Sequence, residues 1–355
     1  FLPPRQSIET RPILKKLVSA NRVLAELKGL AGKLANDSII ITALVIQESK
    51  DSSAIENIIT THDALYRSDI SQPNCPSSLP ELEAVRRYKQ ALYRGIQLIS
   101  SHNLLLKKHI IEIQAILENN DAGVRKQHGT ALKNSKTGEI IYRPPQDYNT
   151  IQDLMDNLEQ YINNPDLDNY DTLTKMTIIH YQFESIHPFY DGNGRTGRII
   201  NVLYLILTGL LDTPILDLST YITSNKPDYY RLLDAVRTGY TIDSWEDWVY
   251  YMLDSVEATA KQSIKVIQDI RSLMADTKRY LQQHCPKFYS KKLLDLLFKY
   301  PYMTIDHVAD TLGVTRKTAR GYLKRLETLS IITTSKIGRN VYFIHSALFK
   351  IVTTH

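Results

Sequence analysis

His187-Pro188-Phe189-Tyr190-Asp191-Gly192-Asn193-Gly194-Arg195-Thr196-Gly197-Arg198 is the stretch on which the reading of this chain turns. Its glycines spell GNGRTG, formally the dinucleotide fingerprint G-x-G-x-x-G, but a dinucleotide loop follows a β-strand. The residues in front, Thr172 to Ser185, have helical spacing instead. A Walker loop is excluded as well, because no Lys-Ser or Lys-Thr follows the last glycine. What remains is a glycine-rich loop feeding the amino end of an apolar helix that includes Ile199, Ile200, Val202, Leu203, Leu205 and Ile206. Unpaired N–H groups and the helix dipole make such a terminus an anion site, and glycine lets phosphate approach the backbone. Arg195 and Arg198, three apart, offer guanidinium forks to further phosphate oxygens. Asp191 is an oxygen ligand placed for the magnesium that accompanies a nucleotide. His187 is the one group in the loop able to take a proton near neutral pH, and Phe189 is expected to anchor the loop in the core.

Outward from the loop, apolar residues recur at spacings of three and four, as in Leu14, Leu17, Val18, Leu24 and Leu27, so the fold is expected to be mostly α. Two or three helices are expected up to about Ser68, then a breaker cluster, Ser71 to Pro80, with Pro73, Pro76 and Pro80. A new helix begins near Glu81. Gly123 to Pro145 reads as two short strands around Asn134, Ser135, Lys136, Thr137 and Gly138. Helices follow at Thr150 to Asn163, Thr172 to Ser185, Thr196 to Thr208, Ser224 to Val236 and Trp245 to Tyr280. After Pro286 the pattern is helix Ser290 to Lys299, helix Ile305 to Leu312, a turn at Gly313 and helix Arg316 to Leu329. Strands around Ile331 to Thr334 and Val341 to Ile344 complete it, with Gly338 turning between them, a winged-helix pattern. The expected domains are an N-terminal helical module over 1–105, a catalytic domain over 106–285 and a winged helix over 286–355.

Composition is that of an ordinary folded protein, with 43% hydrophobic and 23% charged residues. The most apolar segment, Ile199 to Leu211, falls short of the roughly 20 residues a membrane span needs. No secretory signal is visible, and the two cysteines, Cys75 and Cys285, lack metal-ligand spacing, so a cytoplasmic, reducing location is expected. Charge is uneven. The segment from Pro286 onward holds twelve Lys and Arg against four Asp and Glu, net +8 of a whole-chain +5, which leaves the first 285 residues at −3.

The loop resembles the signature of the Fic family, H-x-F-x-[D/E]-G-N-G-R-x-x-R, and meets every specified position. The resemblance implies a protein adenylyltransferase with ATP as substrate and Mg2+ as its companion. His187 would deprotonate a Ser, Thr or Tyr hydroxyl of a target protein, and Asp191 would hold the metal. ATP phosphates would lie over Gly192, Asn193, Gly194, Arg195, Thr196, Gly197 and Arg198. A second segment, Ser52-Ser53-Ala54-Ile55-Glu56-Asn57, resembles the family's inhibitory pattern [S/T]-x-x-x-E-[G/N], which implies that Glu56 pairs with Arg198 and denies it to the γ-phosphate. Gly123 to Pro145 corresponds to the family's flap, which pairs with an extended segment of the target. Tyr221, Asn225, Tyr229 and Tyr230 resemble its adenine-side wall, with Asn225 and Tyr229 as the candidate contacts, although helix-spaced tyrosines also serve as packing residues.

The basic tail supports a different class of function. Arg316, Lys317, Arg320, Lys324 and Arg325 on one helix are what a DNA-binding winged helix presents, and the chain would then be a regulator whose loop senses nucleotide. Winged helices also join proteins, so a second copy of the chain is the other partner this domain leaves open. Within the enzyme class, a different nucleotide donor or removal of AMP remains compatible with the motif.

Overall fold

The structure, a computed structural model, describes residues 2–4, 7–32, 38–71, 79–133, 137–286, 288–337 and 340–354. Cys75, Pro73 and Pro76 of the expected breaker, Asn134, Ser135 and Lys136 at the expected strand turn, and Gly338 lie outside the described residues. Fifteen α-helices and five strands are found among the described residues. The N-terminal helices are α1 (Arg11–Gly32), α2 (Ser38–Ile55), α3 (His62–Ser71), α4 (Pro80–His102) and α5 (Lys107–Glu118). Strands β1 (Leu132–Lys133) and β2 (Ile140–Tyr142) precede α6 (Tyr148–Asn163), α7 (Thr172–Ile186), α8 (Asn193–Leu207), α9 (Leu218–Ser224), α10 (Lys226–Gly239) and α11 (Ile242–His284). The tail holds α12 (Lys291–Lys299), β3 (Tyr302–Met303), α13 (Ile305–Leu312), α14 (Arg316–Thr328), β4 (Thr333–Ile337), β5 (Asn340–Ile344) and α15 (Ser346–Thr353).

Two compact units emerge, and they do not follow the sequential boundaries at 105 and 285. The first comprises residues 1–33, 45–59 and 84–261; the second 34–44, 60–83 and 262–355. The reason is helix length: α2, α4 and α11 each contribute residues to both units, which no cut at a loop can reproduce.

In the first unit α7 and α8 form the core. α7 is buried almost all round, from Leu173 and Met176 to Phe183 and Ile186, the pattern of a central helix rather than an amphipathic one. Asp171 caps its start by accepting the Leu173 N–H at 2.8 Å. α8 packs directly on it because Gly197 has no side chain: a Cβ there would meet Glu184 Oε1 at 2.7 Å and the Phe183 ring at 3.1 Å. Trp245 and Trp248 of α11 close the other side of α7, and Trp248 Nε1 donates to Thr177 O at 3.1 Å. This fixes the C-terminus of α7 beside the N-terminus of α8, the two ends that bracket the loop.

In the second unit Ser290, Thr304 and Thr315 cap α12, α13 and α14 at the sequence-expected starts. The strands form one antiparallel sheet of order β3-β5-β4, with Thr333 opposite Ile344 and Ile337 opposite Asn340. Leu297, Phe298, Met303, Leu323, Leu326 and Leu348 fill the space behind it. β3 and α15 are additions to the expected pattern, and a two-residue strand is too short to show a period. Asp63 of α3 accepts the Tyr302 hydroxyl, and Tyr66 meets Phe349 edge to face at 6.2 Å, so α3 belongs to this core.

Candidate active site

The loop begins where α7 ends. His187 closes that helix in the left-handed region, φ 49° and ψ 60°, with its N–H on Phe183 O at 3.0 Å. Phe189 is fully buried, as its anchoring role requires. Asn193 then staples the loop: its Oδ1 accepts the Phe189 N–H and its Nδ2 donates to Phe189 O, both at 2.9 Å. The amide of Asn193 is thus engaged by main chain and buried. Gly192 sits at φ 76°, which turns the chain into α8 three residues earlier than the sequence-expected start at Thr196. The whole of Asn193 to Arg198 is therefore first and second turn of a helix, and the N–H groups ahead of Thr196, whose own bonds Gly192 O at 2.9 Å, have no acceptor within the helix.

Glycine at 192 and 194 has a second consequence, because a carboxylate lies against each. A Cβ on Gly194 would collide with Glu56 Oε1, and one on Gly192 with Glu118 Oε1. The same two oxygens hold the two arginines: Arg198 Nη2 to Glu56 Oε1 at 2.9 Å and Arg195 Nη2 to Glu118 Oε1 at 2.6 Å. Arg198 also donates from Nε to Ser52 Oγ at 2.7 Å and from Nη2 to Ser52 O at 2.8 Å. Burial works against its charge, and Glu56, with Tyr229 and Tyr88, overcomes that, leaving its pKa above the usual arginine value.

Glu56 reaches Arg198 because of how α2 stops. Asn57, at φ 63°, takes the left-handed position that ends the helix, its N–H bonding Ala54 O at 3.0 Å and that of Ile58 bonding Ser53 O at 3.0 Å. This is a Schellman termination, and it presents the residue just before Asn57 to the loop. Upstream, Glu48 accepts from the Tyr88 hydroxyl and the Ser219 hydroxyl, both at 2.7 Å, and Asp51 accepts from Thr220 Oγ1 at 2.6 Å. These buried bonds hold the last turns of α2 in place.

His187 is pushed down to about 4, by burial first and then by Arg237 and Arg125, so its imidazole is neutral at physiological pH. Glu184, one turn back, is pushed up to about 7 by burial, with Arg198 opposing and Glu56 reinforcing that shift. Arg195 Nε and Thr196 Oγ1 are buried without a hydrogen-bond partner among the described residues, two donors left over at the helix start. Asp191 is exposed at the rim, its Oδ1 accepting the Gly192 N–H at 2.7 Å. Mg2+ bound with a nucleotide takes one or two carboxylates and fills its remaining positions with phosphate and water, which a single exposed Asp191 beside the start of α8 fits.

Three matches to known families fall on these segments. The Fic/DOC family model covers residues 104–205, the Fic/DOC family N-terminal model residues 14–97, and the model for the C-terminal domain of protein adenylyltransferase SoFic-like proteins residues 273–348. The chain belongs to the Fic/DOC family. A curated relative of Aquifex aeolicus, named a probable protein adenylyltransferase, is 35% identical over 83 residues, which span 23% of this chain and only 25% of that protein. Among solved structures, a Fic family protein from Desulfovibrio desulfuricans G20 is similar in fold at TM-score 0.62 and 19% identity, covering 97% of this chain and 98% of that one. A Fic domain containing signaling protein from Bacteroides thetaiotaomicron VPI-5482 matches at TM-score 0.53 and 18% identity, over 72% and 96% of the two chains.

Of the adenine-side candidates, Tyr229 lies close enough to Arg198 to act on its charge. Tyr229 is buried, its hydroxyl 2.8 Å from His180 Nε2 and its ring against Trp248, so it packs the core. Asn225 ends α9 and donates from Nδ2 to Tyr221 O at 2.9 Å; both line an open cavity of about 420 Å³ with Tyr251 and Asp228. Sequence reasoning missed Glu118, Arg125, Tyr142, Glu184 and Arg237. Glu118, Arg125, Tyr142 and Arg237 act on partners distant in the chain, and Glu184 Oε1 is buried without a hydrogen-bond partner among the described residues, so no local spacing announces them. No helix among the described residues is long and apolar enough to cross a membrane.

Proposed function

We propose that this chain is an autoinhibited protein adenylyltransferase that moves AMP from ATP to a hydroxyl side chain of a target protein. One observation carries the reading: Arg198, the last residue of the loop, is held by Glu56 at 2.9 Å where a phosphate oxygen would otherwise pair with it. His187, neutral and at the edge of the anion site, takes the proton of the attacking Ser, Thr or Tyr hydroxyl. The hydroxyl oxygen forms a bond to the α-phosphorus, and the bond to the bridging oxygen breaks, so that pyrophosphate leaves with the electron pair. N–H groups of the α8 start, with Arg195, stabilise the charge on the phosphates. Magnesium held by Asp191 would neutralise phosphate charge when bound. While Glu56 holds Arg198, the nucleotide lacks its γ-phosphate partner and lies unproductively.

Glu56→Gly is expected to raise incorporation of α-labelled ATP, and adding His187→Ala to remove it. Intact mass then reads the chemistry: about 329 Da per modified site is AMP added with loss of water. Another increment identifies another donor, and loss of AMP from a modified protein identifies the reverse reaction. No increment at all leaves the nucleotide-sensing regulator as the better reading.

That second reading has its own support. Arg316, Lys317, Arg320 and Lys324 are all exposed on α14, in a tail read as a winged helix. Retention of the full chain on duplex DNA that falls steeply with salt supports it, and retention that salt does not alter removes it.

A further inference from the structure

A helix end leaves its last carbonyls without donors from the next turn. At the end of α7, which carries His187, every one of them is nonetheless taken. Phe183 O accepts the His187 N–H. Glu184 O accepts Arg237 Nη2 at 2.9 Å, and Ser185 O accepts the Tyr142 hydroxyl at 2.9 Å. Ile186 O accepts Arg125 Nη2 at 3.4 Å, and His187 O accepts Arg125 Nε at 2.8 Å. The Arg125 N–H bonds Pro188 O at 2.9 Å, and Nη2 also bonds Pro145 O.

Arg125 is fully buried, and among the described residues its side chain donates to main-chain carbonyls alone. A guanidinium in that position loses its hydration without a carboxylate to compensate, so its worth must lie in what it holds. It holds both sides of His187, a non-glycine residue in a sparsely populated backbone conformation that persists only where the surroundings impose it. It also joins the two roots of the flap, since Arg125 lies near one end of the segment and Pro145 at the other. Tyr142, on the flap strand β2, adds its hydroxyl, and the Arg237 guanidinium lies 4.0 Å from the centre of its ring.

We propose that Arg125 is a positioning residue for His187, and that with Tyr142 it makes the flap the clamp that sets the orientation of the base. This rests on His187 being the general base of the transfer reaction. A target strand that pairs with β2 then stiffens the same clamp, so substrate docking and base alignment are one event.

The test uses the full chain carrying Glu56→Gly, with Arg125→Met, Arg125→Lys and Tyr142→Phe added singly. Turnover, KM for ATP and the pH–rate profile are measured, together with an NMR titration of the His187 ring that needs no turnover. The charged groups acting on His187 are Arg237, Arg125 and Glu56. Arg125→Met is expected to lower kcat about 100-fold with KM for ATP within about twofold, the pattern of a misplaced catalytic group. Removing this cation raises the His187 pKa and moves the acid limb to higher pH. Arg125→Lys keeps the charge but not the fork, so the limb stays and part of kcat returns. Tyr142→Phe loses one neutral hydrogen bond and lowers kcat about threefold.

Unchanged kcat with a raised KM in Arg125→Met, or an unmoved His187 titration, overturns the proposal. Should Arg125→Met not fold, full kcat in both Arg125→Lys and Tyr142→Phe overturns it. Should the Glu56→Gly parent transfer no AMP, the functional reading fails instead, and the His187 titration alone decides the clamp.

Discussion

Arg195 and Arg198 of the loop and Arg316, Lys317, Arg320 and Lys324 of the tail carry the same charge in opposite surroundings. The loop pair is 5% and 1% exposed, and each arginine has a carboxylate. The tail cations stand in water, and even the one that pairs, Arg316 with Asp306 at 3.0 Å, keeps 70% of its side-chain surface. In water such a pair contributes about 0–1 kcal/mol, whereas a buried cation is costly unless hydrogen-bond acceptors or an anion compensate it. Carbonyls do so for Arg125, and in the loop Glu56 and Glu118 are the anions the chain supplies itself. The tail needs none, and its charge is available to any partner that approaches.

Breaking each side of this comparison should give unequal effects. The largest is expected for Arg198→Ala in the Glu56→Gly chain, where losing one phosphate-binding donor should reduce turnover about 10²–10³-fold, while Arg316→Ala leaves turnover unchanged. Equal losses would erase the distinction. In the otherwise unaltered chain, Arg198→Ala should lower the stability read by urea unfolding by about 3 kcal/mol, because Ser52 and Glu56 lose their buried partner, against less than about 0.5 kcal/mol for Arg316→Ala.

A smaller effect follows from the titratable groups around α7. His180, pushed down to about 3 by burial, and His187, at about 4, stay neutral in the folded chain, while unfolded histidine takes its proton near 6.5. Their contribution is complete above about pH 6.5 and is lost as pH falls toward 4. Glu184, raised to about 7, acts the opposite way: its folded proton favours the native state below its ordinary 4.5, and that advantage is lost as pH rises through 7. Glu184→Gln should thus steepen the gain in stability between about pH 4.5 and 6.5, and urea midpoints at the two ends of that window measure it. An unchanged slope would mean that Glu184 is ionised throughout. The smallest effect belongs to the tail, whose exposed pair should lose its contribution in 1 M salt while the loop pairs keep theirs, as screening reaches only solvated charge.

The part of the molecule legible in the sequence is the part whose chemistry is local. The loop's glycines, Asn193 and its two arginines act through backbone and helix geometry within a dozen residues, and their spacing states it. Glu56 lies 142 residues from Arg198, and it was legible through the resemblance of Ser52 to Asn57 to the family's inhibitory pattern, since no local spacing joins the two. Arg125, Tyr142, Arg237 and Glu118 were not legible, since each bonds a single carbonyl set or one arginine that only the folded chain brings near. Tyr229 illustrates the limit of spacing: its helical period fits a ligand wall or a core equally well, and the folded chain buries it against His180 and Trp248. The division into two compact units was not legible for a related reason, since long helices shared by both leave no breaker at the division.

The central claim is that Arg198 has one partner at a time. Incubating the unaltered chain, Glu56→Gly, and Glu56→Gly with His187→Ala side by side with α-labelled ATP and reading the label on protein tests it most directly. The account predicts a weak signal, a strong signal and none, in that order. Equal labelling of the first two, or labelling that survives the loss of His187, would contradict it.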